Sequence, residues 1–244
     1  PPPSQAATIS TPGSGQIFTN VPITVAGLCP KGLLVKVFAN NVFVGSAMCT
    51  NGSYSLQVDL FSGLNDLVVR DYDALDQAGP ESNVVSVTFN DAQFLQVGSR
   101  VTITSNYARR GADPGQQLDW PIILSGGSAP YALSVDWGDG SSPSLSSQAF
   151  AGNITISHTY ASAGIYEVTV KATDSKGSTG FLQLVGVANG QAAGSGSGSS
   201  AGGSTIQIKT KVLWWPIIVL APLILIAFWL GRRFELFSIR THLE

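Results

Sequence analysis

The stretch "SVDWGDGSSPS", Ser134 to Ser144, runs a short alternating segment into a Gly-Asp-Gly corner. Two aspartates and a tryptophan around such a corner admit three readings: a metal site, a pair of catalytic carboxylates, or a plain hairpin. Glycine accepts positive φ in a tight turn, and an aspartate carboxylate accepts hydrogen bonds from turn amides, so Asp139-Gly140 is a favoured turn pair. Further on, Tyr166, Val168 and Val170 alternate with Glu167, Thr169 and Lys171, the period-two pattern of a half-buried strand, and Trp137 is placed to fill the core beside them. The stretch reads as the corner of a hairpin, and the fold around it as all-β.

The same alternation recurs upstream. "GSYSLQVDL" puts Tyr54, Leu56, Val58 and Leu60 on one face and Ser55, Gln57 and Asp59 on the other, and "LLVKVFA" and "NVVSVTF" behave alike, with turn signals at Asn40-Asn41, Asn51-Gly52 and Gly79-Pro80. Charged residues make up only 11% of the 244, and 27 glycines suit short strands joined by turns. The length holds two domains, each able to bury its own core. No long periodic helix precedes residue 205, which argues against a βαβ fold. Residues 1 to 208 carry 8 Lys+Arg against 13 Asp+Glu, so this part has no electrostatic footprint for nucleic acid.

The basic excess lies at the other end, where residues 209 to 244 carry 5 against 2. "VLWWPIIVLAPLILIAFWL", Val212 to Leu230, is 19 residues without a charge, and as a helix is roughly 28 Å long, close to the hydrocarbon thickness of a bilayer. A buried helix of a soluble protein would normally show a polar stripe, which this segment lacks. A transmembrane helix is therefore expected over residues 209–231, followed by a short basic tail, 232–244. Trp214, Trp215 and Trp229 sit near its ends, and Pro222 predicts a kink. Lys209 and Lys211 before the span weaken the charge contrast with Arg232, Arg233 and Arg240 after it. The disposition of domains favours an exported amino end and a cytoplasmic tail, a single-pass cell-membrane protein whose signal peptide is not visible at "PPPSQAAT". The Gly/Ser-rich run within residues 188–208 is a flexible tether.

Two resemblances divide the strand-rich part. Ile9 to Phe89, through "PITVAG", "GLLVKVFANNVFVGSA", "NGSYSLQVDL", "GLNDLVV" and "AGPESNVVSVTF", looks like a bacterial immunoglobulin-like surface repeat, which implies a β-sandwich spacer or adhesive module without catalysis. The later block resembles the polycystic kidney disease (PKD) domain, another Ig-like sandwich of surface proteins. It carries Trp137, Gly138, Asp139 and Gly140, then His158 and Tyr160, then Gly164 and Tyr166, then Asp174 to Gly177 in that family's order. The early part, "YARRGADPGQQLDWP", matches less clearly and reads as an atypical loop. The expected architecture is two tandem Ig-like β-sandwiches plus one C-terminal transmembrane helix: an extended segment over 1–8, sandwiches over 9–90 and 91–187, then linker, span and tail.

Cys29 and Cys49 each end a strand and bridge if those strands are neighbours; the alternative is two unpaired buried thiols. Some PKD-like domains use acidic loop residues for calcium, so Asp136, Asp139 and Asp174 are a candidate site at one end of the sandwich. Against it stands the commoner role of such aspartates as solvated turn carboxylates. Asp71, Asp73, Asp76 and Glu81 form a second acidic cluster, without the EF-hand pattern. His158 has no second titratable partner in its motif and reads as a packed, hydrogen-bonded neighbour of Tyr160. No nucleophile elbow, cleft for a sugar or phosphate loop accompanies these residues, and neither catalytic nor cofactor-binding residues are expected.

The function expected is contact: a non-enzymatic, membrane-anchored surface protein displaying its domains for adhesion to a protein or glycan. Tyr107, Arg109, Arg110 and Trp120 in the atypical loop are the first candidate binding residues, with a solvated loop and a core Trp120 as the alternative. Rival readings are a structural spacer or part of an envelope assembly, and a membrane-bound accessory subunit recruiting a partner. The sequons at Asn51 and Asn153 matter only in a glycosylating host.

Overall fold

The computed structural model of the chain describes residues 1–91 and 100–189, and these contain strands and turns but no helix. The first lobe is built from β1 (Ile17–Phe18), β2 (Ile23–Leu28), β3 (Leu34–Ala39), β4 (Val42–Met48), β5 (Ser53–Val58), β6 (Gly63–Tyr72), β7 (Ala78–Glu81) and β8 (Val85–Phe89). β2 and β5 pair antiparallel as one layer and face a second layer ordered β1-β8-β6-β3-β4. The expected alternation places Tyr54, Leu56 and Val58 inward, against Val35, Val37, Val69 and Val87 of the other layer. The β3–β4 hairpin turns on Asn40 and Asn41, both at positive φ, the geometry that matches the twist of paired strands. Gly79-Pro80, expected as a turn, instead lies in β7, which pairs β6 only at Ala78 and Glu81, so the missing proline N–H interrupts no ladder bond.

Cys29 and Cys49 are joined in a disulfide that ties the chain after β2 to the end of β4. The segment before β1 belongs to this lobe as well. Thr8 and Ser10 donate backbone hydrogen bonds to Leu28 and Ala26, and Ala7 and Ile9 enter the core.

The second lobe comprises β9 (Thr102–Thr104), β10 (Arg109–Ala112), β11 (Gln117–Ser125), β12 (Tyr131–Asp136), β13 (Ser144–Gln148), β14 (Gly152–Thr159), β15 (Gly164–Asp174) and β16 (Thr179–Ala188). One layer is β14-β11-β9; the other runs β16-β15-β12-β13. Trp120, Ile122 and Leu124 face Leu133, Val168, Val170 and Leu182 across the core. The region read as an atypical loop holds strand structure: Arg109–Ala112 runs parallel to β16, and Gln117–Ser125 is the central strand of its sheet.

The two lobes share a seam. Gln183 of β16 pairs with Gly45 of β4, so the larger layers join into one eleven-stranded sheet. The Arg100 guanidinium lies between the lobes, 2.7 Å from Asp59 Oδ1, donating to the carbonyls of Leu60 and Thr179 and standing 5.3 Å from the Phe89 ring centre. Asp59 also accepts from the Phe181 amide, while the Gln183 side-chain oxygen accepts from the Gln57 amide and Ser46 Oγ donates to the Ala108 carbonyl. Residues 190–244, including the expected transmembrane helix and tail, lie outside the described residues.

One buried group opposes the fold at neutral pH. Asp71 of β6 is 0% exposed, and neither carboxylate oxygen has a partner in hydrogen-bond geometry. Burial raises its pKa from 3.8 to about 6, although the Ala7 amide lies close enough to favour the charged form. Tyr54, the titratable group it faces, is raised by burial and then by the Asp71 charge. Because the folded carboxyl holds its proton longer than the unfolded one, its contribution to stability is complete below about pH 4 and is lost as pH rises through 6. Asp71→Asn removes this dependence. Measured by thermal unfolding, its melting temperature rises relative to the wild type between pH 4 and 7, and at pH 7 it is the more stable by on the order of 1 kcal/mol.

Candidate functional site

The Gly-Asp-Gly corner after β12 brings polar and aromatic side chains of the second lobe together. Trp137 is buried and its indole Nε1 donates to Ser144 Oγ, 3.0 Å away, at the start of β13. The His158 ring stacks on it at 4.7 Å and meets Tyr160 edge-on at the same distance; Tyr160 in turn stacks on Tyr166 at 4.1 Å. β14 and β15 deliver these rings, while the Tyr160 hydroxyl donates to the Trp137 carbonyl at 3.1 Å. Two glycines make the approach possible. Gly138 sits at φ 74°, where a Cβ would lie 2.5 Å from the Glu167 carbonyl oxygen, and a Cβ on Gly186 would lie 2.5 Å from the Tyr160 hydroxyl oxygen.

Asp139 locks the corner. Its Oδ1 accepts from the Ser141 amide and hydroxyl, and its Oδ2 lies 2.8 Å from His158 Nε2. Burial pushes its pKa up, but the bonds from Ser141 and His158 outweigh it and hold the carboxyl at about 2. An ionised carboxylate only accepts, so Nε2 carries the hydrogen. His158 therefore has the titratable partner that its own motif did not reveal. The cue was the Gly-Asp-Gly turn 19 residues upstream, but only pairing across the sandwich brings the two together. The arrangement positions rings: Ser141, the nearby hydroxyl, bonds the carboxylate and not the imidazole, the reverse of a nucleophile–base pair.

The three aspartates considered for calcium do not converge. Asp136 pairs with Thr169 and Asp174 with Tyr131, so these two stand at opposite ends of β12. Asp136 accepts from the Gly138 amide, and Asp174 accepts from the amides of Ser128, Lys176 and Ser178. The second acidic cluster disperses likewise. Asp71 points into the core, Asp73 caps the Leu75 and Gln77 amides, Asp76 pairs with Lys36, and Glu81 with Arg70. Among the described residues, no three His, Cys, Asp or Glu side chains are grouped to hold a metal ion.

The proposed binding loop splits. Trp120 is 0% exposed and its indole donates to the Tyr107 carbonyl, so it is a core residue. Tyr107 is exposed, with the Arg110 guanidinium carbon 4.7 Å from its ring centre, and Arg109 reaches the carbonyls of Asp73 and Ala74 across the seam. Both arginines line a groove of about 360 Å³ with Met48, Ala74, Ile165 and Val187.

Residues 84–180 match the family model of the PKD domain, a stretch that begins at β8 of the first lobe and takes in most of the second. No curated protein matches the chain. Among solved structures it is similar to the PKD domain of an M14-like peptidase from a Thermoplasmatales archaeon, with 17% identity over 38% of this chain and 96% of that one and a TM-score of 0.30. It is similar to fibronectin(III)-like modules of Clostridium thermocellum CbhA, with 16% identity over 34% and 94% and a TM-score of 0.29. It is also similar to the D00-D0 domain of intimin, with 13% identity over 74% and 99% and a TM-score of 0.27.

The corner yields two expectations. Asp139→Asn leaves His158 without its charged partner and destabilises the lobe by about 1–3 kcal/mol, read as a lower denaturant midpoint at pH 7. Calcium and chelator leave the melting temperature of the wild type unchanged, because Asp136 and Asp174 stand at opposite ends of β12 and cannot share one ion.

Proposed function

We propose that this chain is a non-enzymatic, membrane-anchored surface protein that presents two Ig-like sandwiches for adhesion to a protein or carbohydrate. The observation that carries the reading is the PKD domain at residues 84–180, a module typical of extracellular interaction. Its aromatic corner is spent on packing, which leaves the surface for contact. The Cys29–Cys49 disulfide supports an oxidising compartment. In this reading the first lobe is a bacterial Ig-like repeat, and the uncharged segment within residues 209–231 is the single span, with the tail in the cytoplasm. The exposed Tyr107 and the groove lined by Arg109 and Arg110 are the first surface to probe for a ligand.

A second reading is favoured by the seam. A buried ion pair and a shared sheet restrict motion between the lobes, which suits a spacer that holds something else at a distance.

The test is binding of the full chain, in detergent micelles, to intact cells and to an array of neutral and acidic glycans. Saturable binding that falls at least tenfold in Arg109→Ala/Arg110→Ala is the expected result. No binding to any cell or glycan overturns the adhesive reading and leaves the spacer.

A further inference from the structure

We propose that the free edge of β13 is a homotypic contact, at which two copies of this chain pair antiparallel through Ser144–Gln148 about a two-fold axis at Ser146. β13 ends the eleven-stranded sheet, pairs only with β12, and makes no backbone hydrogen bond on its outer side to any described residue. An open strand edge is a template for another strand, and proteins blunt such edges with lysines, prolines, bulges or a covering segment. Between Ser144 and Gln148 there is neither a charge nor a proline; Pro143 stands just before the strand.

The other edges differ from it. Residues 8–11 run along β2, the Gln183 side chain caps the Gln57 amide of β5, and β1 has two residues. β14 is an edge as well, but it opens on Gly152 at φ 144° and carries no exposed large apolar side chain. β13, by contrast, presents Leu145 at 80% exposure, with Phe150, also 80% exposed, two residues beyond its end.

Charge points to a second copy as the occupant. The chain up to the tether is net acidic, so a contact between copies elsewhere works against like charge, whereas no Asp, Glu, Lys or Arg lies between Asp139 and Glu167. A foreign strand selected by charge finds nothing on this edge to select it. In an isologous pair the same groups serve both sides. Ser144 turns inward to the Trp137 indole, so Leu145 lies on the outer face of the sheet. Pairing centred on Ser146 sets Leu145 opposite Ser147 of the copy and makes the two leucines diagonal neighbours on that face.

The chain has two cysteines and both are in the disulfide, so one introduced thiol is a unique reporter. Ser146→Cys and, as a control, Ile17→Cys at the other end of the sheet, 64% exposed, are made in the full chain and treated in detergent micelles with a short bis-maleimide. Ser146→Cys is expected to give at least fivefold more covalent dimer than Ile17→Cys. Adding Leu145→Lys, which sets like charges diagonally across the axis at an exposed position, returns it to the control level. Equal yields from the two cysteines, or a yield that Leu145→Lys does not change, overturn the proposal. No ligand enters this measurement, so its outcome is separate from that of the adhesive reading.

Discussion

The Arg100 guanidinium is the group on which the relation between the two lobes rests. It lies between Asp59 and the Thr179 carbonyl, one from each lobe, with the Leu60 carbonyl and the Phe89 ring completing its surroundings. Taking a carboxylate and a guanidinium out of water is costly, and a buried pair adds little net stability over an apolar replacement. The Asp59 carboxyl shows that cost: burial raises its pKa, more than the Arg100 charge and hydrogen bond lower it. What the pair supplies is exclusivity. A seam in which Asp59 also holds the Phe181 amide and Gln183 holds the Gln57 amide is satisfied in one arrangement, and displacement of either lobe leaves several buried polar groups unpaired at once.

The same logic governs the corner of the PKD domain on a smaller scale. Three stacked or edge-on aromatic contacts fill the space, but the register of those rings is set by polar bonds: the Tyr160 hydroxyl on the Trp137 carbonyl, and His158 on Asp139. Gly138 and Gly186 have no side chain because another group already occupies the place of their Cβ. Residues that resemble catalytic types in the sequence are thereby used up in holding one end of a sandwich together.

Both observations bear on function through what they leave free. Among the described residues the turn carboxylates are bonded to amides and the aromatic rings are interlocked. Exposed among the described residues are strand edges, apolar side chains such as Leu145 and Phe150, and the groove beside Arg109 and Arg110.

Local pattern alone determined the strand-rich character, the inward faces of β5 and β15, the Asn40-Asn41 turn and the hairpin corner at Asp139-Gly140, because period-two alternation and positive φ are properties of adjacent residues. That residues 212–230 carry no charge is likewise a matter of composition. Only tertiary structure decided which distant residues meet. It drew Asp139 to His158, set Asp136 and Asp174 at opposite ends of one strand, decided between the surface and the core for Trp120 in favour of the core, and formed β10 against β16 where a loop was expected. The role of Arg100 is not encoded in its own neighbourhood, since the carbonyls it bonds lie 40 and 79 residues away. Sheet pairing is non-local, so the partners of a charged or aromatic side chain are set by register across strands, which one-dimensional periodicity leaves open.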